Sequence, residues 1–229
     1  MTAASLSVGG PSRSLHQAQS SDPIVVLDFE TTGFSPAEGA RPTEIAAVLV
    51  ENDSITRRFS SLMNPGVSIP QNIQELTGIT DSMVQAAPPV GEVMRRFSDF
   101  IGDLPLVAHN ASFDRQFLEW EFARLGLEHE QPMLCSMQLA RRIYPHAPNH
   151  KLGTLVDFVG LPMQGAYHRA EADAEVTARL WMAMKNVVRQ QCRLESVSNE
   201  LMGRIQGAPR WSMKTPWAMR RQVQRMMRQ

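Results

Sequence analysis

Cysteine is nearly absent from this chain, which has only Cys135 and Cys192 among its 229 residues. Two cysteines so far apart suggest neither the disulfide framework of a small secreted protein nor a zinc cluster, and they fit a reducing compartment. No stretch reaches the apolar length of a membrane-spanning helix, and residues 1–22 lack the apolar core of a signal peptide. The sequence therefore predicts a cytoplasmic protein that does not enter a membrane.

An excess of charge of either sign is missing as well, since 23 Lys and Arg balance 23 Asp and Glu. Without a net positive charge, any attraction for nucleic acid must come from a local basic patch or from bound metal ions. The chain is 43% hydrophobic, as globular proteins are, and its 229 residues suffice for one α/β domain with extensions.

Composition divides the chain into three segments. Residues 1–22 contain almost no large apolar side chains and are predicted to form a flexible leader. Residues 23–190 are predicted to form the folded domain, and residues 191–229 a basic C-terminal extension. From residue 203 this extension has seven Lys or Arg and two Trp, and no acidic residue follows Glu200. A predicted amphipathic helix over residues 217–227 would suit phosphates, an anionic surface or a partner protein, or would pack loosely as a solvated helix.

Hydrophobic periodicity predicts an α/β domain with a mixed sheet. Short apolar runs predict strands, the early ones forming antiparallel hairpins, at residues 24–27, 45–50, 55–63 and 105–108. Apolar residues at helical spacing predict helices over residues 90–101, 111–125, 136–144, 152–159 and 170–190.

Three short segments contain the residues that point to chemistry: DFETTG at 28–33, HNASFDRQFL at 109–118 and YHRAEADA at 167–174. Their acidic and basic candidates are Asp28, Glu30, Asp114, Asp173 and His168. Carboxylate oxygens are hard ligands of the kind that Mg²⁺ and Mn²⁺ prefer, and a histidine titrates near neutrality. Each residue taken alone is equally well a turn former, a helix-start acid or a solvated loop residue. Together they fall where strand ends and helix starts converge, which favours a common site.

The spacing of these acids also predicts where their side chains lie. Asp28 and Glu30 are two residues apart near the end of a strand, so both lie on the same face. Asp114 comes early in its helix and is predicted to face the interior, where an unpaired carboxylate is costly unless a cation neutralises it. Asp173 comes at a helix start, where the helix dipole favours negative charge, and His168 precedes it in the approach loop.

The three segments resemble the three motifs of the DEDDh 3′–5′ exonuclease family, with likeness to the proofreading epsilon subunit of bacterial DNA polymerase III and its stand-alone relatives. Asp28 and Glu30 match the first motif, Asp114 the second, and His168 with Asp173 the third. The likeness covers residues 24–185 and includes the segment NPGVSIPQNIQELTGITDSMV. It implies a ribonuclease-H-like α/β fold, with a mixed central sheet flanked by helices, over residues 23–190.

The resemblance also implies an activity and a cofactor. Two divalent cations, Mg²⁺ or Mn²⁺, would be held by the four carboxylates against the scissile phosphate, and His168 would accept the proton of the attacking water. The product would be a nucleoside 5′-monophosphate released from the 3′ end.

Further site residues follow from the same resemblance. Thr31 and Thr32 would lie beside the terminal nucleotide, and Phe34 and Phe113 would offer apolar surfaces to bases, although core packing against Phe117 is favoured for Phe113. Asn110 would orient the turn before the helix of Asp114 or contact a phosphate. His109, at a strand end, is expected to be structural.

Three functions remain open on the sequence. The leading one is a metal-dependent 3′–5′ exonuclease acting on single-stranded or frayed DNA. An RNA 3′-trimming exonuclease is an alternative, because the same carboxylates cut either polymer. A subunit docked on a DNA polymerase is another, since a tail rich in Trp, Met and Arg suits docking. The tail lacks a long flexible linker, which favours an enzyme that works alone or docks differently.

Overall fold

The computed structural model describes residues 22–162, 169–209 and 215–228. His168, the predicted general base, lies outside these ranges, as do residues 1–21 of the predicted leader. Asp22, the last residue assigned to that leader, is ordered: its carboxylate accepts a hydrogen bond from the backbone N–H of Asn199 at 2.6 Å. Asp22 thus contacts the folded domain, and the boundary between leader and domain at residues 22 and 23 stays a prediction.

Within the described ranges, one mixed sheet has the strand order β3-β2-β1-β4-β5. The strands are β1 Ile24–Thr31, β2 Pro42–Glu51, β3 Ser54–Leu62, β4 Leu106–Ala108 and β5 Met133–Cys135. The first three are antiparallel, whereas β4 pairs parallel with β1 and β5 parallel with β4. The predicted hairpins and the predicted mixed sheet are confirmed. Strand β5 was not predicted, and its three residues form a strand through parallel pairing with β4.

The helices follow the predicted order closely. They are α1 Gln71–Thr77, α2 Asp81–Gln85, α3 Val90–Ile101, α4 Ser112–Leu125, α5 Ser136–Ile143, α6 Leu152–Val159, α7 Ala170–Cys192, α8 Asn199–Gly207 and α9 Pro216–Met226, with a short 3₁₀ helix at Pro36–Glu38. Helix α8 was not predicted, and no bounds were predicted for α1 and α2. None of the helices in the described part of the chain is long and apolar enough to cross a membrane.

Alternate residues of β1 pack into two hydrophobic cores on opposite faces of the sheet, because successive side chains of a strand point to opposite faces. Val25, Leu27 and Phe29 pack with α3 and α4. Ile24 and Val26 pack with α5 to α9, around the fully buried Trp181 of α7. Both faces of β1 are thus covered, which is why its sequence is a continuous apolar run rather than an alternating one.

Small side chains bring the first turn of α7 close to the sheet. Ala46 of β2 contacts Ala170 and Ala174 of α7 in a separate buried cluster, and Ala46 is the register partner of Asp28. Since alanine has only a Cβ, the helix backbone can approach the strand at this point. The acidic end of α7 is therefore placed over the carboxyl end of β1.

The C-terminal extension is packed onto this core. Helix α7 runs to Cys192, two residues past the predicted end of the domain. Helix α8 covers the outer edge of the sheet, where Gln206 Oε1 accepts a hydrogen bond from the N–H of Cys135 at 2.7 Å. Helix α9 buries Met219, Val223 and Met226 against the same cluster as Trp181. Residues on both sides of position 191 thus contribute to one hydrophobic core, and the boundary itself stays a prediction.

Candidate active site

Three carboxylates meet at the carboxyl end of β1. One oxygen from each of Asp28, Glu30 and Asp173 lies within 4.8 Å of the other two. The two residues of β1 lie on one face because a strand repeats every second residue, and Asp173 reaches them from the first turn of α7. The predicted convergence of strand end and helix start is confirmed for these three residues.

Asp114 joins the group from α4 on the other side of β1. Its side chain is buried, with 2% exposed, and its Oδ1 accepts a hydrogen bond from the N–H of Phe29 at 3.1 Å. Phe29 lies between Asp28 and Glu30 on β1. This hydrogen bond therefore holds Asp114 beside both acidic residues of the strand. The predicted interior orientation of Asp114 is confirmed.

Burial, reinforced by neighbouring negative charges at Asp28 and Glu30, raises the pKa of three of these carboxyl groups. Burial, then the charges of Asp173, Glu44 and Asp114, raises the pKa of Glu30 to about 8. Burial raises the pKa of Asp114 to about 7, against the lowering effect of its backbone hydrogen bonds. Burial and the charges of Asp114, Glu30 and Asp173 raise the pKa of Asp28 well above its ordinary range.

This donor set fits divalent cations. Burial and like charge disfavour the ionised forms of Asp28, Glu30 and Asp114, and a bound cation would stabilise those ionised forms. The oxygen-only chemistry of the set suits Mg²⁺ or Mn²⁺ rather than a soft metal.

The predicted substrate residue Thr31 ends β1, and Thr32 and Phe34 lie in the loop between β1 and β2. The hydroxyl of Thr31 donates to the carbonyl of Gly33 at 2.6 Å, and the hydroxyl of Thr32 accepts from the N–H of Arg41 at 2.9 Å. Both hydroxyls thus serve the loop itself. At the tip of the loop, Phe34 is 80% exposed, so its ring is accessible to a ligand.

The loop is fastened to α4. Arg41 makes a bidentate ion pair with the buried Glu121, at 2.8 Å and 3.2 Å, and Gln116 Nε2 donates to the carbonyl of Phe34 at 2.8 Å. The loop that presents the Phe34 ring is therefore bonded to α4, the helix that contains Asp114. Arg41 and Glu121 were not predicted from the sequence, because residues 80 positions apart leave no local pattern.

The turn before α4 contains Asn110 and leads to Phe113. Asn110 is exposed and has a positive φ of 67°, a backbone conformation that asparagine adopts more readily than most residues. Its conformation suits the predicted turn role. The ring of Phe113 packs on that of Phe117 with centroids 5.1 Å apart, as the favoured packing interpretation expects.

His109 has a structural role, as expected. Its ring nitrogens lie 2.8 Å from the hydroxyl of Ser136 and 3.0 Å from the carbonyl of His150. Burial lowers the pKa of His109 to about 4, so the ring stays neutral at physiological pH. A neutral, doubly hydrogen-bonded ring fastens β4 to α5 and to the segment before α6.

Comparison with protein families identifies the family to which this chain belongs. The model of the RNase T family, described as exonuclease, matches residues 25–181, which include Asp28, Glu30, Asp114 and Asp173. The chain belongs to this exonuclease family. The family is one of nucleases, which hydrolyse phosphodiester bonds.

Individual relatives agree with the family. Over 182 residues the chain is 40% identical to the "DNA polymerase III PolC-type" of Halalkalibacterium halodurans, an alignment that covers 79% of this chain and 13% of that protein. The chain thus spans about an eighth of the length of this relative. A structure of exonuclease X in complex with 5′ overhanging duplex DNA is 28% identical, with a TM-score of 0.65, and covers 80% of this chain and 99% of its own.

A second solved structure supports the fold alone. The E. coli exonuclease I complex with single-stranded DNA, in its zinc-bound form, is 19% identical with a TM-score of 0.65, covering 72% of this chain and 40% of that one. The mixed sheet flanked by helices is thus the ribonuclease-H-like fold of these exonucleases. Members of the exonuclease family normally use divalent metal ions, and the acidic cluster is where this chain could hold them.

Proposed function

We propose that the protein is a two-metal 3′–5′ exonuclease that removes nucleoside 5′-monophosphates from the 3′ end of single-stranded or frayed DNA. The convergence of Asp28, Glu30 and Asp173 on one point, with Asp114 held behind them, is the observation that carries this proposal. The family model and the likeness to exonuclease X, whose structure contains DNA, support it.

The four carboxylates would hold the cations, Mg²⁺ or Mn²⁺. When bound, such a pair activates a water and stabilises the charge that develops on the leaving oxygen. Asp28 and Asp173 approach the site from different elements, so they fix its position relative to both the sheet and α7. His168 would accept the proton of the attacking water, a role that rests on its match to the third motif.

The substrate end would lie between the acidic cluster and the loop of Phe34. The exposed ring is suited to stack on a base, which every nucleotide offers. Thr31 and Thr32 would lie beside the terminal nucleotide and shape the loop there, because their hydroxyls are engaged in hydrogen bonds with Gly33 and Arg41. Asn110 would lie beside a phosphate, whereas Phe113 would support the site from the core. Both cysteines are free and buried, which suits the reducing cytoplasm in which we place the protein.

Digestion of matched oligonucleotides tests substrate and direction together. Single-stranded DNA, duplex DNA and RNA of one sequence, each labelled at the 5′ end, are incubated with Mg²⁺, Mn²⁺ or EDTA and resolved by length. We expect a descending ladder from DNA with metal and none with EDTA, while 3′-labelled DNA releases its label as a mononucleotide at once. The Asp28→Asn protein, purified in parallel, controls for contaminating nuclease.

Two results would change the proposal. Immediate release of the 5′ label would show that the enzyme digests DNA from the 5′ end, contrary to the proposal. Faster shortening of RNA than of DNA would favour the RNA 3′-trimming alternative.

The likeness to PolC-type polymerases favours a second candidate role, in which the domain proofreads as part of a polymerase assembly. Sizing of the purified protein with a DNA polymerase catalytic subunit tests this role. A complex that co-elutes would support it, and separate elution together with full nuclease activity would support an enzyme that works alone.

A further inference from the structure

Glu44 is a fifth acidic residue at the edge of the acidic cluster. It lies on β2 as the register partner of Glu30 on β1, and only 2% of it is exposed. Position alone would make it a fifth candidate ligand. Its hydrogen bonds assign it a different role.

Both carboxylate oxygens of Glu44 are engaged by the start of α7. Oε1 accepts from Arg169 Nη2 at 2.9 Å, and Oε2 accepts from Arg169 Nε at 3.2 Å and from the N–H of Ala170 at 3.1 Å. Arg169 is the N-cap residue of α7, and its own side chain makes no cap hydrogen bond. A carboxylate from β2 therefore satisfies an N–H at the start of this helix, where negative charge is also favoured by the helix dipole.

This contact fixes the part of α7 that contains a proposed ligand. Asp173 lies in the first turn, and its N–H donates to the carbonyl of Arg169 at 3.1 Å. The planar fork of arginine matches a carboxylate in one orientation, which a flexible ammonium does not. The Glu44–Arg169 pair thus sets the distance from the first turn of α7 to the β1–β2 ladder on which Asp28 and Glu30 lie.

We propose that Glu44 and Arg169 are a positioning pair that places Asp173 for divalent cation binding, and that Glu44 is not itself a ligand. This inference rests on the proposed function, because it presumes that the carboxylates bind cations. It goes beyond that function by assigning a role to two residues outside the ligand set.

The sign of the charge makes the pair testable. Arg169 is a cation beside a cation site, so its removal should tighten metal binding if only electrostatics acts. If Arg169 positions Asp173, its removal should weaken metal binding instead. Loss of a residue that supports metal ligands typically costs about 10- to 100-fold in metal affinity.

The experiment is titration of the metal-free protein with Mn²⁺, with free Mn²⁺ followed by electron paramagnetic resonance. We expect Arg169→Met to weaken binding about tenfold or more. Arg169→Lys keeps the charge but loses the fork, so it should also weaken binding, and it remains informative if the Met variant does not fold. Arg58→Met is the matched control, since Arg58 pairs with the carboxylate of Glu175 on α7 away from Glu44, and should not weaken binding.

A control for general destabilisation is Val223→Ala, which removes buried packing beneath α9 and should lower the melting temperature without changing Mn²⁺ affinity. Equal or tighter Mn²⁺ binding by the Arg169 variants, with normal binding by the unaltered protein, would overturn the positioning role alone. Failure of the unaltered protein to bind Mn²⁺ would overturn the proposed function and this inference with it.

Discussion

Glu30 and Asp114 retain protons to unusually high pH in the metal-free protein, with pKa values raised to about 8 and about 7. In the unfolded chain such groups titrate near about 4.3 and 3.9. At pH values between the unfolded-state and folded-state pKa values, the folded state therefore binds more protons than the unfolded state. Its free energy of unfolding must fall as pH rises through this range. A divalent cation should substitute for those protons.

This linkage predicts that the metal-free protein melts at a lower temperature at pH 8.5 than at pH 5.5. About 1 kcal/mol of stability corresponds to roughly 2–4 °C in a domain of this size, so a loss of at least about 2 °C is expected. Adding Mg²⁺ at pH 8.5 should restore the melting temperature, and Glu30→Gln should raise it without metal. Glu130→Gln, at an exposed acid, is the control. A melting temperature that rises with pH in the absence of metal would contradict the crowding of these carboxylates.

His168 leads to a prediction about rate. A positioned general base is worth about 10² to 10⁴ in rate, so His168→Ala should lose that much turnover while Mn²⁺ binding persists. Part of the loss should be recovered at higher pH, where hydroxide replaces the base. His146→Ala, at an exposed histidine, should keep the rate of the unaltered protein. Full activity of the His168→Ala protein near pH 7 would rule out this assignment.

At the scale of elements, the loop between β1 and β2 is held to α4 by Arg41 and Glu121 and presents Phe34 to solvent. The buried carboxylate fixes one end of the loop, and the bond from Gln116 fixes the tip. A fixed loop loses little conformational entropy when a nucleotide binds, so the exposed ring is preorganised for stacking.

Removal of the ring should therefore affect binding more than chemistry. Stacking of one base on an aromatic ring is worth about 1–3 kcal/mol, so Phe34→Ala should raise KM for single-stranded DNA by roughly 5- to 150-fold with kcat little changed. Phe158→Ala, at an exposed ring of α6, is the matched control and should leave KM unchanged. An unchanged KM in the Phe34→Ala protein would show that the ring does not contact the substrate.

At the scale of the whole molecule, α8 and α9 close the core over α7 rather than forming a separate arm. Three apolar side chains of α9 are buried, and burial of such a side chain contributes about 1.5–3 kcal/mol. Total stabilities of domains are only about 5–15 kcal/mol. Truncation after Ala208 should therefore lower the melting temperature sharply, and loss of activity in that variant would not identify a binding role.

The exposed face of α9 can be tested without this damage. Arg221 and Arg225 of α9 and Arg228 just after it are exposed, and Arg221 lies over the ring of Trp217, 5.4 Å from the ring centroid. Replacing these three arginines with glutamine should leave stability within about 0.5 kcal/mol. If they contact phosphates, the salt dependence of binding to long single strands should flatten by a slope of about 0.7 for each contact. Unchanged DNA binding at every salt concentration, with loss of a co-purifying protein, would indicate docking instead.

Much of the fold and most of the site were predictable because their signals are local. The apolar run that predicts β1 is a few consecutive residues long. The helical spacing that predicts α3 and α7 likewise extends over a few consecutive turns. The acids Asp28 and Glu30 share a face by the period of a strand alone. Their convergence with Asp173 followed from the tendency of strand ends and helix starts to meet, and the structure confirms it.

Only the tertiary structure decided the rest, because it depends on residues far apart in the chain. Glu44 and Arg169 are 125 positions apart, and nothing local in either segment predicts their pairing. The three residues of β5 become a strand through pairing with β4. An amphipathic helix that packs on a core and one that binds a partner have the same sequence pattern, so the placement of α9 could be settled only by its contacts with α7. The raised pKa values likewise come from burial and from charges on three different elements, which no single segment contains.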